Sequence, residues 1–185
     1  MLRQDMHIVD GWLSAARKRP SPNYNARPAG QAPELIVIHN ISLPAGEFGT
    51  GHAEDLLCNE LDCEIHPSFT DLQGLEVSAH LLIDREGEVV QMVSFDDRAW
   101  HAGISEYCGR ENCNDFSVGI ELEGTDDLAY TDAQYQALAE VVPVIQQHYA
   151  ILPSAITGHS DIAPGRKTDP GPAFDWSRLH RACGA

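Results

Sequence analysis

The sequence predicts an α/β fold with a mixed central β-sheet flanked by helices. Short β-rich segments alternate with helical segments along the chain, and no internal repeat interrupts this order. The chain has 185 residues, of which 43% are hydrophobic, enough to bury a sizeable core. We therefore expect residues 1–185 to form a single domain.

The first third of the chain is predicted to contain two short helices and one buried strand. Residues 10–18 are expected to be helical, and a loop with the sequence SPNYNARP is expected to cross the surface. The apolar run at residues 35–38 predicts a strand that ends at His39. A Gly/Pro-rich stretch follows, and residues 52–61 are predicted to form a helix.

The rest of the chain shows clearer patterns. Residues 79–83 and 88–93 predict a hairpin with its turn at 84–87. Residues 117–123 alternate between apolar residues and polar or small residues, so Glu121 and Glu123 are predicted to lie on the same face of a strand. The capping-box spacing from Thr131 to Gln134 opens the longest helix, in which Pro143 is expected to cause a kink or to mark a change in exposure. A strand at 155–157 and a helix at 176–182 close the chain.

The charge balance excludes some partners. The chain has 12 basic and 28 acidic residues, a net charge of −16, whereas nucleic acids and anionic membranes attract basic patches. No run approaches the length of a membrane span or of a signal-peptide core. We expect a cytoplasmic monomer without a nucleic-acid or membrane partner.

The five cysteines are predicted to be reduced thiols. Their number is odd, and a chain of this length has no need of a disulfide framework. A four-cysteine zinc site is the alternative, although the pairs lack the close spacing of common structural zinc sites. The residues concerned are Cys58, Cys63, Cys108, Cys113 and Cys183.

The loop TGHSDIAPGRKTDPGP, residues 157–172, holds the strongest chemical signal. It carries His159, Lys167 and Asp169, and a fold that brings the end of the strand at His39 beside it would assemble two imidazoles and a carboxylate. Such a set makes a catalytic zinc site with a fourth position for water. The alternatives are a hydrogen-bonded structural histidine at position 39 and a rigid surface loop with a capping aspartate.

Two further side chains have the chemistry that amide hydrolysis requires. Glu121, near a metal and an apolar wall, is predicted to be the general base, with Glu123 as its rival on the same face. Lys167 is predicted to stabilise the oxyanion. The alternative for Lys167 and the neighbouring Arg166 is pairing with surface carboxylates.

Seven segments together resemble the type 2 zinc-dependent N-acetylmuramoyl-L-alanine amidases, especially their cytoplasmic branch. They run in order over nearly the whole chain: SPNYNARP, LIVIHNISLPAGEFG, VSAHLLIDREGEVVQ, RAWHAG, NDFSVGIELEGTD, YTDAQY and TGHSDIAPGRKTDPGPAFDW. The resemblance implies an amidase/peptidoglycan-recognition fold with zinc at the floor of a groove. It implies His39, His159 and Asp169 as zinc ligands, Glu121 as the catalytic acid/base and Lys167 as the transition-state stabiliser.

The resemblance also implies a substrate and a reaction. An anhydro-muropeptide would lose its stem peptide by cleavage of the amide between the lactyl group of anhydro-muramic acid and L-alanine, during recycling of cell-wall fragments, with an indirect effect on β-lactamase induction. The cytoplasmic branch can carry basic residues at the positions of Glu76 and Asn112, where this chain has none. We predict Asn40, Trp100, His101 and Arg110 as substrate contacts, with Arg110 compensating for the missing basic residues.

Three other functions remain open at this point. A non-catalytic peptidoglycan-binding module of the same fold would fit the altered Glu76 and Asn112, although it would not need the ligands and Glu121. An amidase that acts on polymeric cell wall is the second. An acidic α/β domain with incidental histidines is the third. For Trp100 and His101, the alternatives to substrate contact are a core tryptophan and a structural histidine.

Overall fold

The computed structural model describes residues 6–184 and confirms the predicted α/β architecture, a mixed six-stranded sheet with flanking helices. Its strands, in chain order, are β1 (Ile8–Val9), β2 (Trp12–Leu13), β3 (Arg17–Lys18), β4 (Tyr24–Ala26), β5 (Leu35–Ile41), β6 (Leu81–Ile83), β7 (Val89–Gln91), β8 (Asp97–Ala99), β9 (Glu106–Tyr107), β10 (Arg110–Glu111), β11 (Ser117–Glu123) and β12 (Ile156–Gly158). Its α-helices are α1 (His52–Leu57), α2 (Asp132–Tyr149), α3 (His159–Ile162) and α4 (Trp176–Cys183). Short 3₁₀ helices cover Pro67–Leu72 and Cys113–Asp115.

The central sheet places the two longest strands side by side. Its order is β12-β5-β11-β6-β7-β3, with β12, β5, β11 and β6 parallel, β7 antiparallel to β6, and β3 parallel to β7. Residues 35–39 are all buried, as expected for a parallel strand covered on both faces. The carboxyl ends of β12, β5 and β11 therefore meet at one edge of the sheet.

Helix α2 covers the sheet and begins as predicted. The hydroxyl Oγ1 of Thr131 accepts a hydrogen bond from the Gln134 backbone N–H at 3.1 Å, and the Thr131 N–H donates to Gln134 Oε1 at 3.0 Å. The helix continues through Pro143 to Tyr149. Its buried face joins the same core cluster as the inward residues of β5 and β11.

The prediction of a helix over residues 10–18 is wrong. Asp10 and Gly11 have φ angles of 51° and 75° and turn the chain between β1 and β2. The side chain of Gln91 holds this turn, since its Oε1 accepts from the Leu13 N–H at 2.7 Å and its Nε2 donates to the Gly11 carbonyl at 2.8 Å. A helix this short is marginal alone, so these tertiary hydrogen bonds decide the conformation.

Other boundaries differ less from the predictions. Helix α1 ends at Leu57, four residues earlier than predicted, and Asn59 then adopts a φ of 60°. The predicted surface loop SPNYNARP is only partly exposed, because Ser21 and Asn23 are buried and residues 24–26 pair with β8. The hairpin of β6 and β7 and the strand β11 follow the predictions.

The structure also bears on the cysteine and membrane expectations. All five cysteines are free, as predicted. Within residues 6–184, no helix has both the length and the apolar character needed to cross a membrane.

Candidate metal centre

His39 and His159 meet at the carboxyl edge of the sheet because of the strand register. In the pairing of β12 with β5, Gly158 lies opposite Ile38, so the next residues along the two strands, His159 and His39, come together. His159 is the first residue of α3, and the carboxylate of Asp161 stabilises that turn by accepting from the Gly158 N–H at 3.1 Å. In the pairing of β11 with β5, Glu121 lies opposite His39.

The loop after α3 returns Asp169 to the two histidines. The Ser160 N–H donates to the Asp169 carbonyl at 3.0 Å, and the Tyr130 hydroxyl donates to the Pro170 carbonyl at 2.7 Å. Gly158 permits this approach, since a Cβ at that position would lie 2.9 Å from Pro170 Cδ.

Three ligand atoms form a nearly equilateral triangle. The Nδ1 atoms of His39 and His159 are 3.0 Å apart, and Asp169 Oδ2 lies 3.3 Å and 3.2 Å from them. Ligand atoms around a tetrahedral zinc ion at ~2.0–2.1 Å are separated by ~3.3 Å, so the donor set and its spacing fit zinc. Within residues 6–184, this is the only group of three or more His, Cys, Asp or Glu side chains arranged to hold a metal.

The second ring nitrogen of each histidine has its own hydrogen-bond partner. His159 Nε2 lies 3.2 Å from the Ala102 carbonyl oxygen, to which it donates. His39 Nε2 lies 2.8 Å from His101 Nδ1. Partners of this kind fix which nitrogen is left bare for a metal. Burial lowers the pKa of His39 to about 4, so its ring is neutral at physiological pH.

Asp169 is ionised in this environment. Burial raises the pKa of its carboxyl group, but hydrogen bonds with His159 and His39 act in the opposite direction and prevail, so the pKa lies well below its usual range. Asp169 thus has the ionised form that a divalent cation requires of a carboxylate ligand.

Glu121 is the proton-transfer candidate beside the triangle. Its Oε1 is 4.0 Å from His39 Nδ1, and its Oε2 is buried without a hydrogen-bond partner. Burial first, and then the negative charge of Asp169, raise the pKa of Glu121 well above its usual value, while Lys167 lowers it. A carboxylate with a raised pKa accepts a proton more readily than an exposed glutamate, which suits it to proton transfer.

Glu123, the rival base, is engaged in holding two loops. Its Oε1 accepts from the Gly49 N–H at 2.6 Å, and its Oε2 accepts from the Arg85 N–H at 3.3 Å. Lys167 is exposed and pairs with no carboxylate among residues 6–184, and its positive charge lowers the pKa of both Glu121 and His39.

Of the four predicted substrate contacts, two are occupied in holding the fold. The Asn40 amide nitrogen donates to Asp126 Oδ1 at 2.8 Å and to the Tyr130 hydroxyl at 3.0 Å. Arg110 bonds to Glu34 Oε2 at 2.6 Å and lies 3.9 Å above the Phe116 ring. The guanidinium of Arg110 is thus directed to Glu34.

The other two predicted contacts differ in exposure. Trp100 is partly exposed and donates from Nε1 to Asn25 Oδ1 at 2.7 Å. His101 is only 8% exposed, and both its ring nitrogens have partners inside the protein. The structure therefore places His101 behind the metal centre instead of on the open surface that a sugar contact requires.

Glu76 and Asn112, the positions at which the resemblance leads one to expect basic residues, each line a cavity. Glu76 lines a cavity of ≈ 600 Å³ together with two other acidic residues, Asp62 and Glu64. Asn112 lines a second cavity of ≈ 360 Å³ together with Arg166. Neither cavity is lined by a residue of the His39, His159 and Asp169 triangle, so the chemistry of the ligand atoms, and not cavity size, identifies the centre.

Sequence reasoning missed the residues that hold the ligands in place. Asp126 accepts hydrogen bonds from Asn40 and from the Thr168 hydroxyl, and its backbone carbonyl accepts from the Ala173 N–H. Ala102 contributes only a carbonyl. These roles depend on loop geometry, and no residue pattern along the chain signals them.

Comparisons with known proteins agree with this geometry. The sequence profile of the N-acetylmuramoyl-L-alanine amidase family matches residues 29–172. The chain is 58% identical over 174 residues to the 1,6-anhydro-N-acetylmuramyl-L-alanine amidase AmpD of Escherichia coli K12, a match that covers 94% of this chain and 95% of that protein.

Solved structures give the same result. A crystal structure of a selenomethionine derivative of AmpD has 56% identity and a TM-score of 0.93, and it covers 96% of this chain and 99% of that one. AmpDH3 from Pseudomonas aeruginosa, solved in complex with anhydromuramic pentapeptide, has 30% identity and a TM-score of 0.64, over 85% of this chain and 62% of that one.

Proposed function

This chain belongs to the N-acetylmuramoyl-L-alanine amidase family, and we propose that it is a zinc-dependent hydrolase of anhydro-muropeptides. The bond cleaved is the amide between the lactyl group of 1,6-anhydro-N-acetylmuramic acid and the L-alanine of the stem peptide. The reaction serves the recycling of peptidoglycan fragments.

One observation carries the zinc part of the proposal. The three atoms His39 Nδ1, His159 Nδ1 and Asp169 Oδ2 lie 3.0–3.3 Å apart, the spacing of three ligands around one tetrahedral ion. The identity to AmpD over nearly the full length of both chains supports the substrate, as does the relative solved with anhydromuramic pentapeptide.

The roles of the chain's residues follow from their positions. His39, His159 and Asp169 would hold a zinc ion, which would supply a water nucleophile at neutral pH and polarise a carbonyl group. Glu121, 4.0 Å from His39, takes the proton of the attacking water and delivers it to the leaving amine of L-alanine. Lys167 stabilises the negative charge that develops on the carbonyl oxygen.

The remaining features of the proposal concern the whole protein. We propose that residues 1–185 act as a single zinc amidase domain and as a monomer, with the muropeptide as the small-molecule substrate. The five free cysteines support a reducing compartment and hence a cytoplasmic location. Size-exclusion chromatography and cell fractionation test these two statements.

The test of function uses purified protein and a defined substrate. Incubation with 1,6-anhydro-N-acetylmuramyl tripeptide, followed by mass spectrometry, is expected to release the free tripeptide. Intact sacculi form the second arm of the assay, in which release of peptide would show that polymeric wall is also cut. If the protein bound the muropeptide but released no peptide, it would be a binding module and the proposal would fail.

A further inference from the structure

Behind the metal centre, three buried side chains form a continuous line of hydrogen bonds. His39 Nε2 lies 2.8 Å from His101 Nδ1, and His101 Nε2 lies 3.0 Å from Ser117 Oγ. All three are nearly inaccessible to solvent, with exposed fractions of 1%, 8% and 0%. The two imidazole rings cross at 88° with centroids 5.0 Å apart, so the contact runs edge to face instead of by stacking.

From this line we propose that His101 is a positioning residue, which holds His39 in the tautomer and orientation that presents Nδ1 to the metal. The proposal rests on the zinc site proposed above. A neutral His39 that offers Nδ1 as a ligand carries its proton on Nε2, so His101 Nδ1 is the acceptor. The proton of neutral His101 is then on Nε2 and is donated to Ser117 Oγ.

Both ring nitrogens of His101 have a partner inside the protein, Nδ1 towards His39 and Nε2 towards Ser117. An imidazole with one proton has one donor and one acceptor nitrogen, and the line uses both.

The backbone beside His101 is shaped to accept its ring. Gly119 lies on β11 between Ser117 and Glu121, and a Cβ at that position would lie 2.4 Å from His101 Cγ. The glycine φ is not in the left-handed region, so lack of a side chain, and not backbone freedom, is what this position provides. Strand β11 therefore contacts the ring of His101 at Gly119 and carries Glu121 two residues further along the chain.

The ring of His101 is also fixed from its own loop. The Asn114 side-chain oxygen accepts from the backbone N–H groups of His101 and Ala102, at 3.1 Å and 2.8 Å. The carbonyl of Ala102 in turn accepts from His159 Nε2. One short segment thus supplies the outer hydrogen-bond partner of both histidine ligands.

Three variants test the proposal. His101→Phe keeps a ring but removes the acceptor, His101→Asn restores an oxygen near the position of Nδ1, and His80→Asn is the matched control. His80 is equally buried and bonds to the Gly119 N–H and the Asp97 carbonyl; its ring lies edge to face with that of His101, with centroids 5.9 Å apart, but these hydrogen bonds reach neither His101 nor a proposed ligand. The zinc dissociation constant is measured by competition with a chelator, alongside kcat, KM and the absorption spectrum of the Co²⁺-substituted protein.

The expected pattern separates positioning from folding and from substrate contact. His101→Phe should weaken zinc binding ~10–100-fold, alter the Co²⁺ spectrum and lower kcat with little change in KM, because loss of an outer-shell partner typically has this effect. His101→Asn should recover most of the zinc affinity. His80→Asn should keep wild-type zinc affinity even if it is less stable.

Two results would overturn the proposal. In one, His101→Phe binds zinc as tightly as wild type but has a raised KM, which would assign His101 to the substrate groove. In the other, His80→Asn loses as much zinc affinity as His101→Phe, which would reduce the effect to general destabilisation. If His101→Phe does not fold, zinc affinity and the Co²⁺ spectrum are measured in Ser117→Ala and Gly119→Ala instead. Wild-type values of both in both variants would refute the positioning role of His101. Failure of wild type to bind zinc would instead refute the proposed function.

Discussion

Single side chains at the centre have roles that differ because their surroundings differ. Glu121 and Glu123 lie two residues apart on the same face of β11, yet only Glu121 has a buried oxygen without a hydrogen-bond partner. Glu123 uses its two oxygens to hold Gly49 and Arg85. The sequence pattern predicts Glu121 as the base but keeps Glu123 as a rival, because the loops that distinguish the two carboxylates are distant along the chain.

The first prediction concerns this pair. Glu121→Gln should lower kcat by on the order of 10²-fold or more while zinc content stays at wild-type level, since the change removes proton transfer but no ligand. Glu123→Gln, the matched control, should lower thermal stability and leave kcat per folded molecule nearly unchanged. Activity assays with metal analysis and a melting curve check both, and equal kcat in Glu121→Gln and wild type would remove Glu121 from the mechanism.

Lys167 gives the second prediction. Lys167→Met should lower kcat by on the order of 10²-fold, because an oxyanion donor acts mainly in the transition state. Lys167→Arg should recover part of the loss through its retained charge. The ammonium group is exposed and forms no ion pair within residues 6–184, so neither variant should change the melting temperature much. A rise in KM at constant kcat would instead indicate a role in ground-state binding.

At the scale of elements, the loop over residues 168–173 determines whether Asp169 reaches the histidines. Asp126 holds this loop through the Thr168 hydroxyl and the Ala173 N–H. Gly171 is the residue of this loop that packs directly against the Asp126 backbone. Its φ is 77°, and a Cβ at this position would lie 2.3 Å from Asp126 Cα.

The third prediction compares two glycines near Asp169. Gly171→Ala should displace the loop and weaken zinc binding severalfold, because the added methyl group meets the backbone of Asp126. Gly165→Ala is the control, since Gly165 has the same φ of 77° but no atom within 4 Å of the position that a Cβ would occupy. Left-handed strain should cost each variant about 1–2 kcal/mol of stability, and only Gly171→Ala adds the clash. Chelator competition and thermal melts measure both effects, and equal zinc affinities would contradict the role assigned to this loop.

At the scale of the whole molecule, the long periodic elements were predictable and the tertiary contacts were not. The patterns predicted β5, β11, the hairpin of β6 and β7, and α2, because each carries a buried face or a capping box that is visible in the sequence. They failed at residues 10–18, where the Leu13 N–H donates a hydrogen bond to Gln91, 78 residues away along the chain. The predicted ligands come together, whereas the burial of His101 depends on loops that leave no sequence signal.

Three buried histidines give the molecule a predicted sensitivity to acid. Burial lowers the pKa of His80 to about 3, and it lowers those of His39 and His101 in the same direction. The unfolded chain, with histidine pKa values near 6.5, binds more protons than the folded one as the pH falls below 6.5. The free energy of unfolding should therefore decrease progressively from pH 6.5 towards pH 3.

The fourth prediction isolates His80, which contacts no proposed ligand. Between pH 7.5 and pH 4.5, its titration should lower the free energy of unfolding of the metal-free protein by roughly 3 kcal/mol. His80→Asn should be less stable than wild type at pH 7.5, but its stability should fall less on acidification. Urea denaturation at several pH values provides the measurement, and parallel pH profiles for the two proteins would show that His80 is not buried in its neutral form.

Zinc dependence is tested by the rate of anhydro-muropeptide hydrolysis before and after complete removal of zinc with a chelator. Hydrolysis should stop on removal and return in full when one equivalent of zinc per chain is added back, and an Asp169→Ala variant should not recover under the same conditions. Undiminished hydrolysis by the chelated wild-type protein would show that the reaction does not depend on zinc held by His39, His159 and Asp169.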